Sequence, residues 1–216
     1  MNRLQLLASL TKGSKFVCDI GCDHGYTLIE SLRYYGVLGG IAADINQMPL
    51  NQAKKNIAKY NFTDRIKCVL SDGFKNINDE FDTAIISGMG GILIKNILSS
   101  SIDKIKNKKL ILEPNSDRAL VRSFLSSNGF NIIDEYSIYD ANKYYEIIVA
   151  VPGIKKLSDK EINYGPINLI KKEEAFIKYY QKQIDNLKQM ILKINNPIIL
   201  KEKEELLKEL NEIVGM

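Results

Sequence analysis

Acidic and glycine residues share one loop, 19–25, which reads DIGCDHG and follows the first apolar stretch of the chain. Its glycines permit the tight backbone geometry of a loop that passes under a ligand. A dinucleotide loop needs glycine at its first, third and sixth places; these hold Gly21, Asp23 and Tyr26, so that motif fails. Carboxylates repel pyrophosphate but attract the ammonium group of a methionine moiety. Asp19 and Asp23 therefore favour S-adenosylmethionine over a nicotinamide dinucleotide, unless they only cap a helix or pair with lysines.

Acidic residues also end the next two predicted strands. Asp44 stands where an acidic side chain accepts hydrogen bonds from ribose hydroxyls. Asp72 can accept one from the exocyclic amine of the cofactor adenine, although Asp72-Gly73 is also an ordinary turn pair. His24, the only histidine, is expected to orient its loop or contact the amino acid moiety rather than act in catalysis. The predicted cofactor contacts are Asp19, Gly21, Cys22, Asp23, His24, Gly25, Asp44, Ile45, Asp72, Gly73, Ser87 and Gly88.

Two further segments could hold the methyl acceptor. Segment 87–91 reads SGMGG, and glycines so close together suggest a backbone that approaches a flat ligand or bends sharply. Met89 could pack on a base or simply fill the core. Segment 113–115, Glu-Pro-Asn, follows the fifth strand and offers polar atoms to a base edge. The predicted catalytic residues are Met89, Gly90, Glu113 and Asn115.

Apolar strand-like runs alternate with helical patterns between residues 15 and 150, which is typical of a parallel α/β sheet. We predict strands at 16–20, 40–44, 66–70, 83–87, 110–112, 130–136 and 145–151, and helices at 49–59, after Gly91 and at 117–127. Only 137–143 separates the last two strands, which is too short for a parallel crossover, so they must form an antiparallel hairpin. A seven-stranded Rossmann-like sheet with its last strand antiparallel is the layout of class I methyltransferases.

The composition shifts toward Lys, Glu, Asn, Ile and Leu after Pro152-Gly153. Apolar residues then recur at the spacing of a coiled-coil seam, break at Asn195-Asn196-Pro197, and resume. These positions are Ile177, Tyr180, Ile184, Leu187, Ile191, Ile194, Leu200, Leu207 and Val214. We predict two domains: a methyltransferase domain, 1–153, and a C-terminal α-helical coiled-coil hairpin, 154–216.

Net charge, apolar runs and cysteine content indicate where the protein is located more than what it does. The net charge of +4 is compatible with nucleic acid but does not require it. No apolar run approaches the ~20 residues of a membrane span, and no signal-type segment follows Met1, so we expect a soluble, cytoplasmic protein. The three cysteines should be reduced, and Cys18, Cys22 and His24 lack both the geometry and the fourth ligand of a metal site. No metal and no obligate protein partner are expected.

Together these motifs, with 43–46 (ADIN), Pro49-Leu50 and 143–147 (KYYEI), resemble the bacterial tRNA adenine(22)-N1 methyltransferase family. The resemblance spans the whole catalytic domain, and the pairing of 22–25 (CDHG) with 88–91 (GMGG) is specific. It implies a class I domain with a C-terminal coiled-coil hairpin that methylates N1 of an adenine in the tRNA D-arm. It also implies a cofactor site at 21–25 with Asp44 and Asp72, and an acceptor side at 87–91 with Pro114 and Asn115. The chain departs from it at Glu113, where we expect the family to carry Gln.

Adenine N1 carries a lone pair, so methyl transfer needs alignment and exclusion of water more than a general base. A carboxylate could stabilise the ring as it becomes cationic, with Glu113 the nearer candidate and Asp23 the more distant one. The predicted tRNA contacts are Arg118, Arg122, Tyr139, Lys143 and Tyr144, and the tail lysines Lys171, Lys172, Lys178, Lys182 and Lys188 could extend them or form a solvated face. Three alternatives stay open: a small-molecule or protein acceptor, a non-enzymatic tRNA-binding protein and, last, a nicotinamide oxidoreductase.

Overall fold

The computed structural model describes residues 1–215 and contains one mixed sheet flanked by helices. The strands are β1 (Phe16–Ile20), β2 (Gly39–Asp44), β3 (Ile66–Leu70), β4 (Thr83–Met89), β5 (Lys109–Pro114), β6 (Phe130–Asp140) and β7 (Lys143–Pro152). The helices are α1 (Arg3–Ser9), α2 (Tyr26–Tyr34), α3 (Gln47–Lys59), α4 (Gly91–Ser100), α5 (Ile102–Ile105), α6 (Arg118–Ser127), α7 (Asp159–Tyr164), α8 (Asn168–Lys171), α9 (Glu174–Ile191) and α10 (Pro197–Val214).

The strand order is β3-β2-β1-β4-β5-β7-β6, and β7 alone runs against its neighbours. The predicted Rossmann-like sheet with an antiparallel last strand is therefore confirmed. Separate apolar clusters cover the two faces of the sheet, as expected where parallel strands are buried on both sides. The strand order reverses between β1 and β4, and in such sheets a ligand binds at the carboxyl ends of the strands beside that point.

The β6–β7 hairpin is longer than the sequence predicts. Its ladder continues to Asp140 and Lys143, which leaves only Ala141 and Asn142 in the turn. Both turn residues have positive φ, 46° and 63°, as a tight two-residue hairpin turn requires. The extended hairpin brings Lys143 beside the end of β5.

Helix α1 was not predicted and packs against α2 and β6. Its first turn is fixed by a capping box, in which the Asn2 side chain accepts from Gln5 N and the Gln5 side chain accepts from Asn2 N. Arg3 N also donates to the Asp140 carboxylate at 3.1 Å, so the start of α1 is attached to the β6–β7 hairpin.

The C-terminal segment forms a helical hairpin of α9 and α10, joined to the sheet by α7 and α8. Tyr180, Ile184 and Leu187 of the predicted seam are buried. On α10 the buried residues are Leu210 and Ile213, while the predicted Leu207 and Val214 are partly buried and pack against the same cluster. Leu157 already belongs to the core of the sheet domain, so the segment is packed onto that domain. The boundary between residues 153 and 154 stays a prediction. Within residues 1–215, no helix has both the length and the apolar character to cross a membrane.

Candidate active site

A cavity of about 510 Å³ lies at the carboxyl ends of β1, β2, β3 and β4, beside the point where the strand order reverses. Its volume is in the range of small-molecule sites. Of the predicted cofactor contacts, all but Gly25 line it: Asp19, Gly21, Cys22, Asp23, His24, Asp44, Ile45, Asp72, Gly73, Ser87 and Gly88. These residues come from separate loops, and the parallel strands bring them together.

Asp19 is the most unusual carboxylate of the cavity. Its side chain is buried, with 2% of the residue exposed, and Oδ1 has no hydrogen-bond partner among the described residues. Burial, followed by the nearby charges of Asp44 and Asp23, raises the pKa of Asp19 to about 7. An unpartnered, buried carboxylate among other carboxylates is a site for a cation that donates hydrogen bonds.

Asp44 and Asp72 sit at the cavity in different states. The Asp44 carboxylate is buried and accepts from the backbone N–H of Asn46 at 2.8 Å and of Asp23 at 3.4 Å. Asp72 is exposed and pairs with Lys75 at 2.5 Å. Both line the cavity as hydrogen-bond acceptors. The orientation of Asp44 is fixed by backbone N–H groups, whereas the exposed Asp72 side chain can change its orientation.

The cofactor loop is fixed by its glycines. Gly21 has a φ of +75°, and a Cβ built there would collide with Cε of Met89, so the loop passes directly against the acceptor side. Gly25, the one predicted contact outside the cavity, has a φ of +74° and packs where a Cβ would lie 3.3 Å from Ala53 Cβ. Gly25 is thus the N-cap of α2, and its contact with a cofactor stays a prediction. His24 is exposed, lines the cavity and lies 3.5 Å from the Asp23 carboxylate.

The predicted acceptor residues gather at the ends of β4 and β5. Asn115 N donates to Met89 O at 2.8 Å, and Lys143 Nζ donates to Asn115 Oδ1 at 3.2 Å. Met89 lines the cavity and its strand turns into α4 at Gly90. Gly90, Glu113 and Asn115 do not line the cavity; they lie beside it.

One residue that was not predicted from the sequence joins the cavity to the acceptor side. Arg3, at the start of α1, lines the cavity and pairs with the Glu113 carboxylate at 2.6 Å. Leu4 and Asn46 also line the cavity without having been predicted. Asn46 follows Asp44 directly and could have been found from that position, whereas residues of α1 are remote in the chain.

Two predicted tRNA contacts are wrong because their side chains are buried. Arg122 is fully buried and donates to Glu135 Oε1 at 2.7 Å and to Glu146. The Tyr144 hydroxyl donates to Glu146 Oε1 at 2.9 Å, and its ring is stacked on Tyr179 at 4.0 Å between centroids. Neither group is accessible to an RNA chain, because both tie the sheet to the C-terminal segment.

The remaining predicted contacts lie near the hairpin turn. Lys143 is exposed and its ammonium lies 4.9 Å from the centroid of the Tyr145 ring. Lys178 lies over Tyr139 at 5.3 Å, and Arg118 is partly exposed over the rings of Tyr144 and Tyr179.

The tail lysines divide. Lys171 is held by the Asp134 carboxylate at 2.5 Å, so it serves the docking of α8. Lys178, Lys182 and Lys188 are exposed along α9, and Lys172 is partly exposed. In residues 1–215, no group of three or more His, Cys, Asp or Glu side chains could hold a metal ion.

Comparison with known proteins identifies close relatives of this arrangement. A family model described as tRNA (adenine(22)-N(1))-methyltransferase matches residues 17–215. The Bacillus subtilis protein of that name is 29% identical over 96% of this chain and 91% of its own. Streptococcus pneumoniae Sp1610 in complex with S-adenosyl-L-methionine has a TM-score of 0.88 at 30% identity, over 97% of this chain and 99% of that chain. M. capricolum TrmK with S-adenosyl-homocysteine has a TM-score of 0.87 at 29% identity, over 99% and 96%.

Proposed function

Because this chain belongs to the TrmK family of tRNA (adenine(22)-N(1))-methyltransferases, we propose that its cavity binds the methyl donor beside a seat for the target adenine. The chain is an S-adenosylmethionine-dependent enzyme that methylates N1 of adenine 22 in tRNA. The observation that carries the residue assignments is the unpartnered Asp19 Oδ1 in a cavity lined by carboxylates.

The cavity suits S-adenosylmethionine, which supplies an electrophilic methyl group on a sulfonium when bound. Asp19 would accept hydrogen bonds from the ammonium of its amino acid part, which satisfies the orphaned oxygen. Asp44 would hold the ribose hydroxyls and Asp72 the exocyclic amine of the adenine. Ile45, exposed at the end of β2, would cover an apolar face of the ligand.

The residues around Met89 align the acceptor rather than remove a proton. Adenine N1 is a nucleophile without prior deprotonation, so no general base is required. Met89, Gly90 and Asn115 would flank the base where β4 and β5 end, next to the cofactor loop at Gly21. His24 would hold its loop or the amino acid moiety, in keeping with its place in the cavity wall.

The tRNA would approach over the β6–β7 hairpin. Lys143 supplies an exposed cation and Tyr139 a partly exposed ring, while Arg118 adds charge beside them. Exposing a base held in the D-arm costs a few kcal/mol, which such contacts must offset. Action on tRNA makes a cytoplasmic location part of the same proposal, with no obligate protein partner.

The function is tested by incubating the protein with radiolabelled S-adenosylmethionine and a bulk tRNA pool, then mapping the modified nucleotide. We expect 1-methyladenosine at position 22 and no labelling when that adenine is replaced by guanine. Label on free adenosine, a protein or a small molecule instead would favour another acceptor. A chain that binds tRNA but gives no heat with S-adenosylmethionine in calorimetry would be a non-enzymatic binder.

A further inference from the structure

Glu113 is a second buried carboxylate at this edge of the sheet with an unused oxygen. The residue is fully buried, and Oε2 accepts from Arg3 Nη1 at 2.6 Å, whereas Oε1 has no partner among the described residues. Leaving a carboxylate oxygen dehydrated and unpaired is costly. A ligand that donates a hydrogen bond to it would remove that cost.

The position of Glu113 limits what that ligand can be. Glu113 pairs with Ser87 in the β4–β5 ladder, and Ser87 lines the cofactor cavity. Arg3 lines the same cavity and lies 5.0 Å from the centroid of the Tyr145 ring. The Glu113 carboxylate therefore lies outside the cavity but next to two residues that line it, on the side where the proposed function puts the acceptor.

Resting on the proposed function, we propose that Glu113 Oε1 accepts a hydrogen bond from the N6 amine of the target adenine, and that Arg3 positions Glu113 for this. Adenine presents the N6 donor next to N1, whereas guanine presents an O6 acceptor there, which the carboxylate repels. As N1 takes the methyl group the ring becomes cationic, so the bond to a carboxylate strengthens during transfer. Glu113 thus selects adenine and assists its methylation.

Arg3 also accounts for a glutamate, rather than a glutamine, at position 113. Arg3 donates to one carboxylate oxygen, which leaves the other free as an acceptor. An amide in that place would offer its oxygen to Arg3 and turn its NH₂ toward the adenine amine, where two donors would face each other. A glutamine at 113 therefore does not fit with Arg3 present, although it is the residue expected at this place from the family resemblance.

The test compares two tRNA transcripts, one with adenine at position 22 and one with purine, which lacks the N6 amine but keeps N1. For each we measure kcat/KM with the protein as it is and with Glu113→Gln and Glu113→Ala. The adenine-to-purine ratio cancels any intrinsic difference in N1 reactivity when it is compared between enzymes. Both variants should reduce this ratio about 10- to 100-fold, the value of one charge-assisted hydrogen bond. Glu80→Gln, at an exposed carboxylate paired only loosely with Lys108, is the matched control and should leave the ratio unchanged.

An unchanged ratio in the isosteric Glu113→Gln variant overturns the proposal, because the base amine then makes no bond with this side chain. The affinity for S-adenosylmethionine is measured in parallel by calorimetry and should stay the same in the Glu113 variants. If the unaltered protein methylates neither transcript, the proposed function itself fails. If it methylates both and the ratio does not respond to Glu113, only the base contact fails.

The positioning role of Arg3 is tested by the pH dependence of kcat/KM for tRNA, measured at a saturating concentration of S-adenosylmethionine so that protonation of Asp19 does not set the acidic limb. Burial raises the pKa of Glu113, and Arg3 first, then Lys143 and Arg118, counteract it. Arg3→Met removes the group that lowers this pKa most. Glu113 should then protonate at higher pH, and the acidic limb of the profile should shift to higher pH. Arg3→Lys keeps a cation and should leave the limb near its original place. A limb that is the same in all three enzymes contradicts this role.

Discussion

Replacing Arg122 by methionine should be the most damaging single change to the attachment of the C-terminal segment. Arg122 donates to Glu135 and Glu146, and all three side chains are buried. Its guanidinium also donates to the carbonyl of Asn163 at 3.2 Å, in α7. Glu135 in turn accepts from the backbone N–H of Asn168 at 3.1 Å. The arginine therefore compensates two carboxylates and links them to α7.

The expected cost follows from the charges left behind. Removing one partner of a buried ion pair costs about 3–5 kcal/mol, because an uncompensated charge remains in a medium of low dielectric constant. In Arg122→Met two carboxylates lose their cation, so we expect at least that decrease in the free energy of unfolding. Such a loss is a large part of the total free energy of unfolding, which is about 5–15 kcal/mol for a typical protein.

Urea unfolding followed by circular dichroism measures this loss, and limited proteolysis reports whether residues 154–215 loosen first. Burial already raises the pKa of Glu135, and Arg122 counteracts it, so without the arginine that pKa should rise further and the folded variant should bind more protons than the unfolded chain. The deficit should therefore shrink as the pH falls from about 8 to about 5. Lys67→Met, which breaks an exposed pair with Asp79 at 2.8 Å, is the control and should cost no more than about 1 kcal/mol. If Arg122→Met lowered the free energy of unfolding by no more than this control, the buried arginine would not compensate the two carboxylates.

Three further perturbations test the two halves of the site. Asp19→Asn should weaken S-adenosylmethionine binding about tenfold or more in calorimetry. Because the pKa of Asp19 is about 7, affinity in the unaltered protein should fall by up to about tenfold per pH unit below that value, and a pH-independent affinity would contradict its role. Gly21→Ala should lower kcat/KM by displacing Met89, at little cost in tRNA affinity by filter binding; an unaffected rate would show that the loop can move. Lys143→Met should weaken binding of all tRNAs and reduce the salt slope by about 1, and an unaltered slope would exclude a phosphate contact.

The cofactor half of the site could be predicted because its residues lie at the carboxyl end of each strand, close in the sequence to the apolar run that forms that strand. Asp19 and Asp44 directly follow apolar residues, and Asp72 follows an apolar run after Ser71; parallel strands place such positions at one edge of the sheet. Local sequence therefore contained both the chemistry and the geometry. What it did not contain was the state of each carboxylate, since the isolation of Asp19 Oδ1 depends on the packing of residues from several elements.

Arg122 shows where the interpretation failed although a signal was present. It lies on α6 between Val121 and Leu125, both buried, so its side chain points to the apolar face of the helix. Glu146 likewise interrupts an otherwise apolar strand and is fully buried. An arginine on a buried helix face and glutamates within buried strands need one another, because none can be buried alone. Arg122 was predicted to be exposed because it is charged, although the spacing of apolar residues on α6 places it on the buried face of the helix.

Arg3 marks the limit of what local pattern can give. The capping box of α1 was readable from Asn2 and Gln5, but its docking was not, because Glu113 lies 110 residues further on. The same applies to Lys143, which reaches Asn115 only because the β6–β7 ladder extends to the last residue before the turn.

The cofactor cavity and the acceptor side depend on different parts of the fold. In the proposed function the methyl donor would lie at four neighbouring strand ends. The acceptor side would also use α1 from one end of the chain and the β6–β7 hairpin, which the C-terminal segment supports, from the other. Loosening either attachment should therefore reduce use of tRNA before it reduces binding of S-adenosylmethionine. Arg122→Met, assayed at a urea concentration too low to unfold it, provides that separation, because a parallel loss of both affinities would mean that the two halves are one cooperative unit.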